Sequence, residues 1–158
     1  MKDRVYASAD KRWLFEKLVK SSDNKDGIFE NNKDLIITAS VIAYKSKQSS
    51  KLELKKDRIE IPLSVFRNTD GNIELIDIIA LDKTKDVNIL NWKDDEIVSQ
   101  KLEIFEEYAN KGLEILDQKL FQNNTDKYEN LLQLISSELN NKETTTKKAD
   151  LNSLIGSI

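Results

Sequence analysis

The sequence predicts a mainly α protein: a single compact helical domain around one long helix, with a short β-hairpin near residues 51–61. Three observations carry this reading. Apolar residues between Asp94 and Gln122 recur in steps of three and four, the mark of one buried helical face. The chain has one proline and four glycines, which suits long regular elements better than a loop-rich sandwich. Strand-like alternation is confined to one short stretch.

In the long helix the stripe is Val98, Leu102, Phe105, Ala109, Leu113, Leu116 and Leu120, widened by Ile97, Ile104, Tyr108 and Ile115. A stripe this broad calls for more than one packing neighbour. Asp94, Asp95 and Glu96 sit at its start, where acids complement the positive end of the helix dipole. At about 1.5 Å per residue the helix is roughly 40 Å long.

Taken in order, the chain opens its regular structure at Asp10–Lys20 (DKRWLFEKLVK), a helix with Leu14, Phe15, Leu18 and Val19 on one side and Trp13 at the edge. Ser8 or Asp10 can cap it. SSDNKDG is a polar turn. The run from Leu35 to Tyr44 is ambiguous in period: its β-branched residues favour a strand, whereas Asn31 or Asn32 as a cap and the Ala39–Ala43 spacing favour a helix. Its length decides for a buried central helix over 31–45, packed on the long one, with Ser40 and Tyr44 satisfied locally.

Leu52 and Leu54, then Ile59 and Ile61, alternate with polar residues across KKDR and suggest the hairpin. Pro62 ends the extended piece, Leu63 to Phe66 makes a single helical turn, and Asn68-Thr-Asp-Gly71 makes a turn. Asn72 is placed to cap a helix over 72–82 with Leu75, Ile76, Ile79 and Ala80 inward. From Asp82 to Trp92 a connector is expected to tuck Val87, Ile89, Leu90 and Trp92 under the long helix. A break at Asn123–Thr125 and a cap at Asp126, with Glu129 at capping-box spacing, start a last helix over 126–140. Its predicted inner face is Tyr128, Leu131, Leu132, Ile135 and Leu139. The domain reading is therefore 1–140, a flexible polar linker at 141–149, and a short amphipathic motif at 150–158.

Composition narrows function more by exclusion than by signal. With 34% charged and 39% hydrophobic residues the chain reads as a solvated globular protein rather than a membrane protein. MKDRVYASAD lacks the apolar core of a signal peptide, so a cytoplasmic location is expected. The sequence has no cysteine and no histidine, which removes thiol chemistry, cysteine-ligated metals and the Ser-His-Asp route. No cofactor is implied.

Two stretches remain as candidate binding surfaces. Lys45, Lys47, Lys51, Lys55, Lys56 and Arg58 outweigh Glu53 and Asp57 in one segment. That segment is either a solvated loop or a loop contacting DNA phosphates, and it has no aromatic residue for single-strand stacking. In LNSLIGSI, Leu151, Leu154, Ile155 and Ile158 fall at i, i+3, i+4 and i+7, with Asp150 placed to cap. Alone it is too short for a stable helix, so it orders on a partner's apolar groove or folds back on its own protein.

The segments IFENNKDLIITASVIAYKSK, IEIPLSVF, IDIIAL and above all EIFEEYANKGLEIL resemble the family called Dnd system-associated protein 4, over roughly Asp10 to Leu116. The resemblance implies a small bacterial protein encoded beside DNA phosphorothioation and restriction genes. It implies a part in antiviral defence and partner proteins from the same gene cluster. It carries over no catalytic residue. Three classes stay open: a non-catalytic accessory or adaptor subunit, a small DNA-binding protein using the basic loop, and a magnesium nuclease using Asp94, Asp95 and Glu96 or Glu106 and Glu107. The last is disfavoured, because acids in a first turn serve the dipole and adjacent Glu106 and Glu107 point in different directions. An enzyme is not expected.

Overall fold

The apolar stripe of the long helix is buried as its spacing requires. α5 spans Asp95–Phe121, and Val98, Leu102, Phe105, Ala109, Leu113, Leu116 and Leu120 are each at most 1% exposed. Asp94 caps it, its Oδ1 accepting from the Glu96 and Ile97 N–H groups at 3.0 and 3.2 Å. The structure is a computed structural model describing residues 2–53, 55–121, 126–138 and 140. The chain divides into two compact units, Met1–Leu116 and Asp117–Ile158.

In the first unit the order is β1 (Arg4–Ala7), a 3-10 turn (Ala9–Lys11), α1 (Arg12–Leu18), α2 (Asn32–Lys45), β2 (Ile59–Pro62), α3 (Leu63–Arg67), α4 (Asn72–Thr84), a second 3-10 turn (Val87–Leu90) and α5. α1 buries Leu14, Phe15 and Leu18. Neither Ser8 nor Asp10 caps it, because the tighter turn intervenes and Lys11 takes the cap position without a side-chain bond. Asp10 bonds Ser8 instead, which holds its carboxyl below the usual range. The far end is closed by Asn24, whose Nδ2 donates to the carbonyls of Glu16, Lys17 and Val19 at 2.9, 3.1 and 2.9 Å. Val19 then bridges Phe29 in parallel. Gly27 lets the returning chain lie against that segment: a Cβ there would be 2.4 Å from the Lys20 nitrogen.

α2 is a helix despite its β-branched content. Asn31 caps it by accepting from the Asp34 N–H at 3.0 Å, and Leu35, Ile36, Ala39, Ser40, Ile42 and Ala43 are buried. Ser40 Oγ donates to the Ile37 carbonyl at 2.8 Å, so its hydroxyl is satisfied within its own helix. Tyr44 meets Tyr108 of α5 edge to face, ring centroids 5.8 Å apart. Burial, with a hydrogen bond to Asp82, raises the Tyr44 phenol above its ordinary pKa.

The alternation at Ile59–Ile61 is a strand, with both isoleucines buried. Its antiparallel partner is β1, not the Leu52–Leu54 stretch: Val5 pairs Ile61 and Ala7 pairs Ile59. The physical reason is twofold. β1 offers its own buried Val5 and Ala7 for the core face, while the chain at Ser50 and Lys51 is hydrogen-bonded to Asn110 of α5. Pro62 then ends β2, and the single turn expected after it is α3, whose Phe66 sits edge to face on Phe105 at 6.1 Å.

α4 starts one residue earlier than a cap at Asn72 would set it. Gly71, at φ 87°, is its cap, and Asn72 is already helical, with its Nδ2 buried and unpartnered. Ile76, Ile79 and Ala80 are buried as expected, and Leu75 only partly. The connector does less than predicted: Ile89 is buried and Trp92 half-buried, but Val87 is 70% exposed and Leu90 also faces solvent.

The second unit contains the end of α5 and a further helix, α6, over residues 127–138. Asp126 caps it, Oδ1 accepting from the Tyr128 N–H at 2.8 Å. Asn130 Nδ2 donates to the Leu120 carbonyl at 3.2 Å, and Leu131 is buried. The rest of the predicted inner face turns outward, with Tyr128, Leu132 and Ile135 exposed by 46%, 64% and 42%. Among the described residues of this face only Leu131 is buried.

Candidate functional sites

The six basic residues of the Lys45–Arg58 segment part into two groups. Lys45 lies at the end of α2, Lys47 follows in a left-handed conformation (φ 54°), and Lys51, Lys55 and Lys56 are exposed. Lys55 is 3.9 Å from Glu53. Arg58 is drawn onto the sheet, its guanidinium 4.0 Å from the Tyr6 ring centroid and its Nε donating to Glu60 at 3.1 Å. The segment is tied to α5 at its middle. Asn110 Nδ2 donates to Ser50 Oγ and to the Lys51 carbonyl, both at 3.0 Å, and the Ser50 N–H donates to the Glu107 carbonyl at 3.1 Å. The tail candidates Leu151, Leu154, Ile155 and Ile158 lie outside the described residues.

Two of the acids weighed for a metal site, Asp94 and Glu106, have structural duties. Asp94 is a helix cap. Glu106 is 2% exposed and accepts from Lys2 Nζ and from the Tyr6 N–H, both at 2.8 Å. Burial pushes its carboxyl up to about 7, against the opposing pull of Lys2 and the Tyr6 N–H. Glu106 thereby fixes the outer edge of β1 to α5. Among the described residues, no group of three or more His, Cys, Asp or Glu side chains could hold a metal ion.

A second buried ionic group was not anticipated. Lys101 is fully buried, its Nζ 2.5 Å from Asp77 Oδ1 and 3.8 Å from the Trp92 ring centroid. Trp92 Nε1 donates to both Asp77 oxygens at 3.0 and 3.1 Å, and Arg67 approaches the same ring at 5.5 Å. These contacts tie α3, α4 and α5 together around one indole. The sequence did hold a signal for both groups: Lys101 is three past Val98 and four before Phe105, and Glu106 is four past Leu102 and seven before Leu113. Both positions belong to the buried stripe, and a charge there needs a partner.

Two hollows flank β2 in the first unit. One, of about 270 Å³, is lined by residues including Arg12, Glu16 and Ile59. The other, of about 620 Å³, includes Lys20, Glu30, Lys33 and Ile61. Their charges are of both signs, and in the second hollow Lys20 pairs with Glu30 and Lys33 with Asp34. Among the described residues no helix is long and apolar enough to cross a membrane.

No curated protein and no solved structure matches the chain. A family model does, that of the DNA sulphur modification system-associated protein 4, over residues 4–154. That span takes in every element described above and enters the tail as far as Leu154. The chain therefore belongs to the DNA sulphur modification system-associated protein 4 family, which links it to a DNA sulphur modification (Dnd) system.

Proposed function

We propose that this protein is a non-catalytic accessory subunit of its DNA sulphur modification system, an adaptor that works in antiviral defence through contacts with other proteins of the same cluster. The observation that carries the reading is the outer stripe of α6. Tyr128, Leu132 and Ile135 stand four and three residues apart, so they share one side of the helix, and each is more than 40% exposed. Fully burying a leucine or isoleucine side chain gains about 1.5–3 kcal/mol, so such a stripe favours a partner's apolar groove. The same i, i+3, i+4, i+7 pattern recurs at Leu151, Leu154, Ile155 and Ile158. The non-catalytic part is supported by the structural duties of Asp94 and Glu106, which leave neither carboxylate facing a substrate. The reading puts the protein in the cytoplasm, beside the DNA its system modifies.

Co-expression with the neighbouring gene products tests it. The double variant Leu132→Asp, Ile135→Asp should keep the wild-type melting temperature and lose co-purification with them. Full retention of co-purification by a folded double variant overturns the reading of α6.

A further inference from the structure

The Lys45–Arg58 segment carries an exposed positive surface whose chemistry fits a polyanion. Arg58 is engaged by Tyr6 and Glu60, and Lys55 lies near Glu53. Lys45, Lys47, Lys51 and Lys56 are exposed and form no ion pair among the described residues. Further acids lie near: the carboxylate of Asp57 in the same loop, Asp82, which Lys47 influences but which Lys85 and Tyr44 already bond, and Glu114 of α5, which Ser50 and Lys111 bond. We propose that these four lysines contact the phosphate backbone of duplex DNA, and that Asn110 is the positioning residue that holds their loop in place.

Three arguments support this. Charge complementarity selects the partner, since local cations bind phosphates by releasing condensed counterions. The loop is also preorganised. Asn110 Nδ2 grips Ser50 Oγ and the Lys51 carbonyl, and Ser50 Oγ donates to Glu114 Oε1 at 3.2 Å. Fixing the backbone beforehand reduces the ordering entropy that binding must overcome. Finally, no aromatic residue lies between Lys45 and Arg58, which favours backbone contact with a duplex over stacking on unpaired bases. The net charge of −3 supplies no long-range attraction, so the contact is short-range and strongly salt-sensitive. This proposal stands apart from the α6 reading and uses none of its residues.

Fluorescence anisotropy of the full chain with labelled duplex DNA, titrated against salt, tests it. Replacing Lys45, Lys47, Lys51 and Lys56 together by Gln should weaken binding at low salt by about tenfold or more. It should also flatten the salt slope by about 0.9 for each phosphate that is no longer neutralised. The matched variant with Lys25, Lys83, Lys93 and Lys119 replaced by Gln removes the same charge elsewhere and should leave the slope unchanged. Asn110→Ala, which alters no charge, should weaken binding while the lysines remain; a folded Asn110→Ala at wild-type affinity refutes the positioning role. No binding at low salt, equal losses from the two lysine sets, or a preference for single strands overturns the proposal.

Discussion

Gly112 of α5 meets Ala39 of α2 backbone to backbone: a Cβ built on Gly112 would lie 1.8 Å from the Ala39 carbonyl oxygen and 2.2 Å from its carbonyl carbon. The two helices therefore cross at a point where only hydrogen fits. Gly112→Ala must push them apart, and overpacking of this kind costs about 1–3 kcal/mol or more. Because the opposing atoms are main chain, Ala39→Gly should not rescue it. Urea titrations of the single and double variants check this; rescue would mean that the Ala39 side chain sets the spacing.

The stripe of α5 should be costly to truncate. Phe105→Ala is expected to lose about 3–5 kcal/mol and Leu116→Ala about 2–5 kcal/mol. Glu103→Ala, on the exposed face, should stay within about 0.5 kcal/mol. Equal losses at all three sites would contradict the burial described here.

Glu106 should make stability depend on pH. Its carboxyl is raised from an ordinary 4.5 to about 7, chiefly by burial, so the folded state binds the proton more tightly than the unfolded state. The favourable contribution is complete below pH 4.5 and is lost as pH rises through about 7, a change of roughly 3 kcal/mol at about 1.36 kcal/mol per pKa unit. Glu106→Gln cannot titrate. Between pH 5 and 8 the wild type should therefore lose stability relative to Glu106→Gln, as measured by denaturant unfolding at each pH. Parallel curves would refute the assignment.

The Lys101–Asp77 pair should respond unequally to removal of either partner. Lys101 is fully buried, whereas the Asp77 side chain is 23% exposed. Asp77→Ala strands a buried ammonium and should cost about 3–5 kcal/mol, whereas Lys101→Met leaves an aspartate that water and Trp92 can still serve, and should cost less. Chemical denaturation of both variants decides the order.

Deleting Asp150–Ile158 should leave the melting temperature unchanged and reduce co-purification with the neighbouring gene products. A large fall in stability with partners retained would instead assign that segment to the protein's own core.

Helix periodicity is a local property, and it was legible throughout. Every α5 stripe position is buried, α2 is a helix with Asn31 as its cap, and Pro62 ends a strand. The candidate surfaces were legible as composition alone, because charge and apolar spacing can be read without partners. That Arg58, alone of the six basic residues, is drawn onto the sheet could not be read, since that turned on where Tyr6 and Glu60 meet it.

What the sequence alone determined is therefore the helices, the apolar face that each carries and the family to which the protein belongs. Tertiary structure decided the rest, for one reason: those features join residues far apart in the chain. The sheet pairs Val5 with Ile61 rather than two neighbouring stretches, because β1 supplies a complementary buried face and Asn110 holds the nearer stretch on α5. Glu106 is tolerable on the stripe only because Lys2 and Tyr6 reach it, and Lys101 only because Asp77 does. Tyr128, Leu132 and Ile135 have core-like spacing yet lie exposed, since periodicity sets which residues share a face and the surroundings set whether that face is covered.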